Sequence, residues 1–176
     1  MTGRPAVGGA GGAGGADALR AIAAGQAPPI PYDAHMGFRL VSWSPEGAVV
    51  EADVDGRFAN PTGVLHGGVL MGLADSAMGL TVTGLLGAGE AGTNTDLQMR
   101  FLRPTAGTGT LRATARVVRR GRRALVLECD VADAAGKLVA RASSQFLVLP
   151  ADAFAQGSRT WRTRTPDQAT TRVRQR

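Results

Sequence analysis

Hydrophobic and polar residues alternate along several stretches of the chain. In the stretch from Ala48 to Val54, apolar residues occupy every second position, and Glu51 and Asp53 stand between them. A period of two is typical of a β-strand that buries one of its faces. The pattern along the chain predicts six strands, at 37–44, 48–55, 93–102, 108–118, 124–132 and 137–149.

One long segment shows no such alternation. The 23 residues from Gly67 to Gly89 include one charged side chain, that of Asp75. They predict a helix at 67–86 that Gly87 ends, because a long apolar run is typical of a helix buried inside a protein. A membrane span is the alternative, since about 20 apolar residues cross a bilayer. Seven glycines and the carboxylate within the run favour a protein core instead.

The predicted elements follow the order β-β-α-β-β-β-β. An antiparallel sheet must cover its apolar face, and the long helix is the one large element available to do so. The predicted fold class is therefore α+β, with a curved antiparallel sheet wrapped around one central helix. Because a single helix cannot easily cover the whole sheet, we expect the chain to form a dimer.

The two ends of the chain differ in composition from the part between them. Residues 1–16 are nearly all glycine and alanine, so we expect them to be disordered. The folded domain is expected at 17–150, and it opens with a short helix at 17–25 that the following prolines terminate. Residues 151–176 are expected to form a flexible basic tail.

Charge and cysteine content narrow the function classes. The net charge of +6 suggests nucleic acid, but the six arginines and one aspartate after Gly157 account for five of those charges. The rest of the chain is nearly neutral, so we expect no nucleic-acid partner. Cys129 is the only cysteine, which precludes an intrachain disulfide and fits a cytoplasmic protein without a leader segment. Two histidines and one cysteine argue against a structural zinc site.

Asp75 is the first candidate for catalysis. A carboxylate inside an apolar helix lowers the stability of the fold unless it is solvated or paired, and it is retained at that cost where it has a function. At the helix start, Gly67 and Gly68 leave backbone N–H groups free to face a ligand. The pattern indicates a base on a buried helix and an oxyanion-binding backbone at the helix N-terminus. The alternatives are a carboxylate that reaches solvent or an arginine, and a tight turn that needs glycine.

Further motifs surround these residues. They are Asn60-x-x-Gly63-x-x-His66-Gly67-Gly68 with Asp75 nine residues after His66, Gly92-Thr-Asn-Thr-Asp96, Phe101-Leu-Arg-Pro104, Val118-Arg-Arg-Gly121-Arg122 and Asp133-Ala-Ala-Gly136. With them, the segment 35–149 resembles the hotdog-fold acyl-CoA thioesterases of the PaaI type, the phenylacetic acid degradation thioesterase family. The resemblance implies hydrolysis of an acyl-CoA to a free acid and CoA, without a metal or an organic cofactor. It also implies a homodimer, usually paired into a homotetramer, whose active sites use residues of both subunits.

The resemblance implies roles for individual residues. Asp75 would act as nucleophile or general base, and the sequence leaves both open. The N–H of Gly67 would bind the oxyanion, and Gly68 would lie on the substrate side and let the helix pack closely. Asn60 would orient the water or the catalytic acid across the dimer interface, and His66 would bond near the thioester. Turn formation by Asn60 and helix capping by His66 are the alternatives.

Two more groups are candidates for substrate binding. Asn94 or Thr95 stands where the family often places a hydroxyl that holds the water, and an ordinary strand residue is the alternative that we favour. Four arginines surround Gly121, and their forks suit the phosphates of CoA as well as a solvated hairpin turn. They are Arg119, Arg120, Arg122 and Arg123.

The acyl group is expected to be aromatic, arylacetyl or medium-chain, and two other functions compete with thioester hydrolysis. A hotdog hydratase or dehydratase would need a histidine paired with the helix acid, and no histidine follows His66. A non-catalytic acyl-CoA-binding regulator would normally add a DNA-binding module, and the residues before His35 are too few and too rich in glycine for one. Ser76 lacks the Gly-x-Ser-x-Gly setting of a serine hydrolase.

Overall fold

The computed structural model describes residues 13–154, with three helices and seven strands. Most of the glycine-rich N-terminus and almost all of the basic tail lie outside these residues. The helices are α1 (Ala13–Ala23), α2 (Pro31–Met36) and α3 (Gly67–Leu85). The strands are β1 (Phe38–Ser44), β2 (Gly47–Val54), β3 (Glu90–Asn94), β4 (Gln98–Phe101), β5 (Gly109–Arg120), β6 (Ala124–Ala132) and β7 (Leu138–Pro150).

The seven strands form one antiparallel sheet that curves around α3. The strand order is β1-β2-β5-β6-β7-β3, and β4 also pairs with β7, so that β3 and β4 lie end to end along one edge of β7. On α3, the side chains of Leu73 and Met78 are fully buried. The predicted fold class, a curved antiparallel sheet around one central helix, is confirmed.

Burial along the strands follows the predicted alternation. The buried members are Ala48, Val50, Ala52, Val54, Leu111, Ala113, Ala115, Leu125, Leu127, Cys129 and Val131. The opposite face of the sheet is charged, and its acids are paired: Glu51, for example, forms salt bridges with Arg39 at 2.7 Å and with Arg112 at 2.5 Å. An antiparallel sheet with one covered face and one wet face has this composition.

The single strand predicted at 93–102 is wrong, because β3 and β4 take its place. Asp96 lies in the break: its Oδ1 accepts the N–H of Gln145 at 3.0 Å, and its carbonyl oxygen accepts the Ser144 hydroxyl at 2.6 Å. A carboxylate thus replaces a backbone carbonyl as the partner of β7, and the regular ladder is interrupted there.

The region before β1 contains more helix than predicted. The helix predicted at 17–25 is present as α1, but it starts at Ala13, so residues 13–16 are helical where disorder was expected. Alanine favours helix, and Leu19 fastens α1 to the core with 2% of its surface exposed.

Helix α2 was not predicted from the sequence, because prolines were interpreted only as helix terminators. Pro31 begins this helix, where its fixed φ is favourable and its missing N–H costs nothing. Gly37 ends it with a φ of 72°, in the left-handed region. This six-residue helix matters because it carries Asp33.

The long helix predicted at 67–86 is confirmed as α3, but Gly87 does not end it as a left-handed cap. Leu86 is already extended, with φ −71° and ψ 145°. Arg120 Nη2 donates a hydrogen bond to the carbonyl oxygen of Leu85 at 2.8 Å. A cation at this end of a helix stabilises the free carbonyls and the negative pole of the helix dipole.

Among the helices between residues 13 and 154, α3 alone is long and apolar enough to cross a membrane. More than half of its positions are buried inside the protein. A central helix wrapped by its own sheet passes the same test of length and composition, so this finding is weak evidence for a membrane.

Replacing the arginine that caps α3 should destabilise the fold. We expect Arg120→Ala to lower the free energy of unfolding by about 1 kcal/mol, because the Leu85 carbonyl loses its charged donor. Chemical denaturation measures the change. Arg122→Ala, in the adjacent hairpin turn, is the matched control and should stay within about 0.5 kcal/mol of wild type. Equal losses in the two variants would contradict the capping role.

Candidate active site

Asp75 lies half-buried in the middle of α3, on the side that faces β3. Its Oδ1 accepts a hydrogen bond from Asn94 Nδ2 at 2.8 Å. Burial raises the pKa of the Asp75 carboxyl above its usual value, and the Asn94 hydrogen bond opposes this effect. In the described part of the chain no cation forms a salt bridge with Asp75. The only charged side chain of the apolar run in α3 is therefore a carboxylate with a raised proton affinity. The Asn94 amide holds one of its two oxygens.

A second carboxyl, which the sequence analysis missed, lies beside Asp75. Asp33 extends from α2 and is 5% exposed, and its Oδ1 accepts the Ser76 hydroxyl at 2.7 Å. Burial raises the pKa of Asp33, the Ser76 hydrogen bond lowers it, and the negative charge of Asp75 raises it further. The signal in the sequence was a proline and a glycine that bracket Asp33 at the spacing of a short helix.

The two carboxyls open into one cleft of about 250 Å³ between α2, α3, β3 and β7. Ile30, Leu80 and Phe146 supply apolar walls, and Gly79 and Gly92 leave room between them. Such a mainly apolar cleft with a few polar groups has the composition of a small-molecule site.

The start of α3 lies in a different cleft. His66 caps the helix, with Nδ1 accepting the N–H of Gly68 at 3.0 Å. Because Nδ1 accepts, a neutral His66 carries its proton on Nε2. No hydrogen bond between described residues uses the N–H of Gly67. This N–H therefore remains available at the positive end of the helix dipole.

The cleft at Gly67 measures about 480 Å³ and runs along residues 101–105. A side chain at position 67 would meet the ring of Phe101 at 3.0 Å, so glycine lets this aromatic residue lie against the helix start. Thr105 also lines the cleft, and its buried Oγ1 has no hydrogen-bond partner among residues 13–154. The hydroxyl and the Gly67 N–H are thus two polar groups in one cleft without internal partners.

Asn60 and His66 have local roles in the structure. Asn60 Oδ1 accepts hydrogen bonds from Thr62, at 2.9 Å from N–H and 2.7 Å from the hydroxyl, as expected for an asparagine that starts a turn. His66 lines a shallow cleft of about 360 Å³ with Arg57 and Phe58. At Gly68 a side chain would press on the His66 ring at 3.0 Å, so this glycine lets the histidine cap the helix.

Asn94 and Thr95, which the sequence offered as alternatives, have different surroundings. Asn94 bonds Asp75, so it belongs to the Asp75 cleft. Thr95 is bound to β7, because its N–H and its hydroxyl both donate to the carbonyl of Gln145, at 2.8 and 3.2 Å. The structure therefore brings the first of the two next to the candidate base.

The hairpin turn around Gly121, here called the arginine turn, lies far from Gly67 within one chain. It sits at the C-terminal end of α3, about 27 Å from the helix start at 1.5 Å per residue. Arg120 is engaged with Leu85, and like its three neighbours in the cluster it is exposed to solvent. They are Arg119, Arg122 and Arg123. The backbone N–H of Gly121 closes the hairpin on Ala124 at 2.8 Å.

The two main candidates also remain apart within one chain. Gly67 and Asp75 are eight residues apart on α3, which corresponds to about 12 Å along the axis and about 80° around it. Their clefts share no lining residue. A single chain thus presents a base and an oxyanion donor in separate clefts.

The other reactive groups offer less. Burial raises the pKa of the Cys129 thiol to about 12, so the sole cysteine is a poor nucleophile near neutral pH. Residues 13–154 contain no group of three His, Cys, Asp or Glu side chains arranged to hold a metal ion.

Comparison with known proteins identifies the family. A family model described as "Thioesterase superfamily" matches residues 62–140, which include Gly67, Asp75 and Asn94. A Mycobacterium tuberculosis protein named "Putative esterase" is 30% identical over 119 residues, which are 64% of this chain and 81% of that protein. The chain belongs to the thioesterase superfamily. The resemblance stated from the sequence motifs is thereby confirmed.

Solved structures agree with this thioesterase-superfamily assignment. A Haemophilus influenzae protein described as a thioesterase superimposes with a TM-score of 0.64 at 27% identity, covering 68% of this chain and 83% of its own. The PaaI protein of the E. coli phenylacetic acid degradation operon gives 0.67 at 25% identity, covering 76% and 95%. Family and relatives support hydrolase activity for this thioesterase-superfamily chain.

The burial of Asp33 gives a stability prediction with a definite sign. Its pKa in the folded protein is raised above the reference value of 3.8, so its favourable contribution is complete below that pH and is lost as the pH rises through the folded-state pKa. Asp33→Asn keeps an acceptor for Ser76 and removes the charge. We therefore expect this variant to melt at a higher temperature than wild type at pH 7.5, with a difference that shrinks toward pH 4. A thermal melting series against pH measures this.

Asp53→Asn is the control, because Asp53 is exposed and bonds Thr110 on the outer face of the sheet. It should show no such gain at pH 7.5. A melting temperature of Asp33→Asn that is lower than wild type at every pH would contradict the account.

Proposed function

We propose that this protein is an acyl-CoA thioesterase in which Asp75 is the general base. The observation that carries the proposal is the setting of Asp75 at the side of an apolar cleft. Its carboxyl is half-buried and forms no salt bridge with any described residue. Burial raises its pKa, and Asn94 holds one of its oxygens by a hydrogen bond. Membership of the thioesterase superfamily points to a thioester as the bond that is cleaved.

The hydrogen bond from Asn94 is compatible with the base role, which we propose in preference to direct attack by the carboxylate. It engages Oδ1, which leaves Oδ2 for a water molecule. In the proposed step Oδ2 accepts a proton from that water as its oxygen attacks the thioester carbon. The tetrahedral intermediate then collapses and the carbon–sulfur bond breaks. The leaving sulfur takes the proton that Asp75 received from the water, so that CoA leaves as the thiol and the carboxylate is regenerated. The raised pKa suits Asp75 for accepting the proton.

The proposed oxyanion donor is the Gly67 N–H. The attacked carbonyl oxygen becomes negative in the transition state, and a fixed N–H at a helix N-terminus stabilises that charge. The N–H is free in the described structure, and the cleft beside it is large enough to admit part of a substrate.

Because the base and the donor face separate clefts, we propose that the active site forms between two subunits. In a two-fold dimer with antiparallel α3 helices, Asp75 of one chain can approach Gly67 of the partner subunit, and symmetry creates two such sites. In the described sheet, β3 and β4 pair with β7 along one edge only and leave the other edge without a strand. We propose that this free edge joins the partner's sheet, and that such dimers pair further into a tetramer.

The proposed substrate follows from the shape and composition of the Asp75 cleft. Its walls are aliphatic and aromatic, and glycines widen it, which suits an aromatic, arylacetyl or medium-chain acyl group. The exposed arginines of the turn, Arg119, Arg122 and Arg123, are proposed to meet the phosphates of CoA. Water, a carboxylate and a backbone N–H supply every group of the proposed reaction, so we propose no metal or organic cofactor.

Removal of the base should abolish turnover and leave the fold intact. We expect Asp75→Asn and Asp75→Ala to reduce kcat for acyl-CoA hydrolysis by at least about 10²-fold, the usual contribution of a general base. Thiol release from a panel of aromatic, arylacetyl and medium-chain acyl-CoAs measures it. A melting temperature of Asp75→Asn no lower than wild type is the control for folding, since the variant removes a buried charge. Wild-type rates in either variant would refute the mechanism.

Proline at position 67 tests the oxyanion donor directly. Proline is favourable at the first position of a helix, and it removes the N–H while it adds side-chain atoms near Phe101. We expect Gly67→Pro to lower kcat by about 10²- to 10³-fold, as loss of an oxyanion donor does. Gly67→Ala keeps the N–H and makes the same contact with Phe101, so it is the matched control and should retain far more activity.

Mixing the two inactive variants then tests the shared site. A heterodimer of one Asp75→Asn chain and one Gly67→Pro chain contains one site in which both groups are intact. Purified through a different tag on each chain, it should regain about half of the wild-type activity per dimer, because two-fold symmetry gives two sites. No recovery, or a stable and active monomer in light scattering, would contradict the proposed dimer site.

A further inference from the structure

The buried group that the proposed mechanism leaves unused is the Asp33 carboxyl. It enters the Asp75 cleft from α2, and it is bound to Ser76, the residue that follows Asp75 on α3. A structural role alone gives no reason for a carboxyl here, since an amide or a hydroxyl at position 33 could accept the same hydrogen bond.

The ionisable groups that line the cleft around Asp33 come from α2 and α3. From α2 come Asp33 and the phenol of Tyr32, from α3 comes Asp75, and the residues of β3 and β7 that line the cleft carry no ionisable side chain. No arginine, lysine or histidine lines the cleft. The two carboxyls therefore share one cleft, and the charge of Asp75 raises the pKa of Asp33 with no cation in the lining to weaken the repulsion.

We propose that Asp33 is a positioning residue of the active site, which acts through Asp75 by making that carboxylate a stronger base when both are ionised. The proposal rests on the proposed function of Asp75. Its physical basis is reciprocal: the charge of Asp75 makes Asp33 harder to ionise, so the charge of Asp33 must make Asp75 hold a proton more tightly by the same free energy. The two carboxyls then lose their protons in two steps that belong to the pair.

Ser76 has a defined part in this arrangement. Its hydroxyl donates to Asp33, and a hydrogen bond to the ionised form of a carboxyl favours ionisation. Ser76 thus lets Asp33 carry its charge in a site where burial opposes that charge. The hydroxyl is directed at Asp33, 43 residues away in the sequence, and not at a carbonyl of its own helix.

The pH profile of kcat/KM separates this role from a structural one. In Asp33→Asn the repulsion is absent, so the acid limb should move to lower pH. At pH 8 kcat should fall about two- to threefold, because Asp75 is then a weaker base. In Ser76→Ala the charge of Asp33 loses its donor and Asp33 stays protonated to higher pH, so the acid limb should also move to lower pH, by no more than in Asp33→Asn. Because Ser76 acts through the charge of Asp33, the double variant should shift the acid limb no further than Asp33→Asn alone, whereas two independent packing defects would add.

Direct titration of Asp75 completes the test. Carboxyl 13C NMR of wild type and Asp33→Asn reports the proton affinity of Asp75 without any turnover, so it stands even if no acyl-CoA is hydrolysed. A lower titration midpoint for Asp75 in Asp33→Asn supports the proposal. Asp53→Asn, which removes an acid on the outer face, should leave the midpoint and the acid limb unchanged. An unchanged midpoint in Asp33→Asn, or an acid limb that moves to higher pH in either cleft variant, would overturn it.

Discussion

Burial of α3 is the constraint on which the rest of the structure depends. The sheet bends around this helix, so a polar side chain on it must be satisfied by the helix itself or must lie where another element leaves a gap. The hydroxyls of Thr81 and Thr83 follow the first course, because they donate to the carbonyls of Ala77 and Gly79 at 2.8 and 2.9 Å. Asp75 follows the second course, and the gap beside it is the cleft under α2.

The carboxylates on the two faces of the sheet have different kinds of partners. On the outer face Asp130 is held by Arg141 at 2.5 Å, and these contacts keep the pKa of Asp130 below its usual value. In the inner cleft Asp33 and Asp75 have neutral hydrogen-bond donors instead of cations, and their pKa values are raised. Acids left in this condition lower stability near neutral pH, and such local conflicts are concentrated at functional sites.

The parts of the fold and of the candidate site that depend on local sequence patterns could be predicted from the sequence. The period of the strands, the apolar run of α3 and the lone charge of Asp75 are all visible within short windows. Asp33 was missed because its burial depends on how α2 docks, which no window around it records. Asn94 was a candidate, but its contact with Asp75 spans 19 residues and depends on the tertiary fold in the same way, as do the contacts of Asp96 with β7 that break the predicted strand.

Helix geometry explains why the proposed chemistry requires symmetry. A helix is stiff, so the eight residues between Gly67 and Asp75 fix these two groups about 12 Å apart, whatever the sheet does. The same spacing becomes an advantage when two copies of α3 run antiparallel about an axis near Met71, because each base then meets the other chain's helix start. The lone carboxylate in an apolar helix is thus half of a site, and α2 is the element that brings a second carboxyl to it.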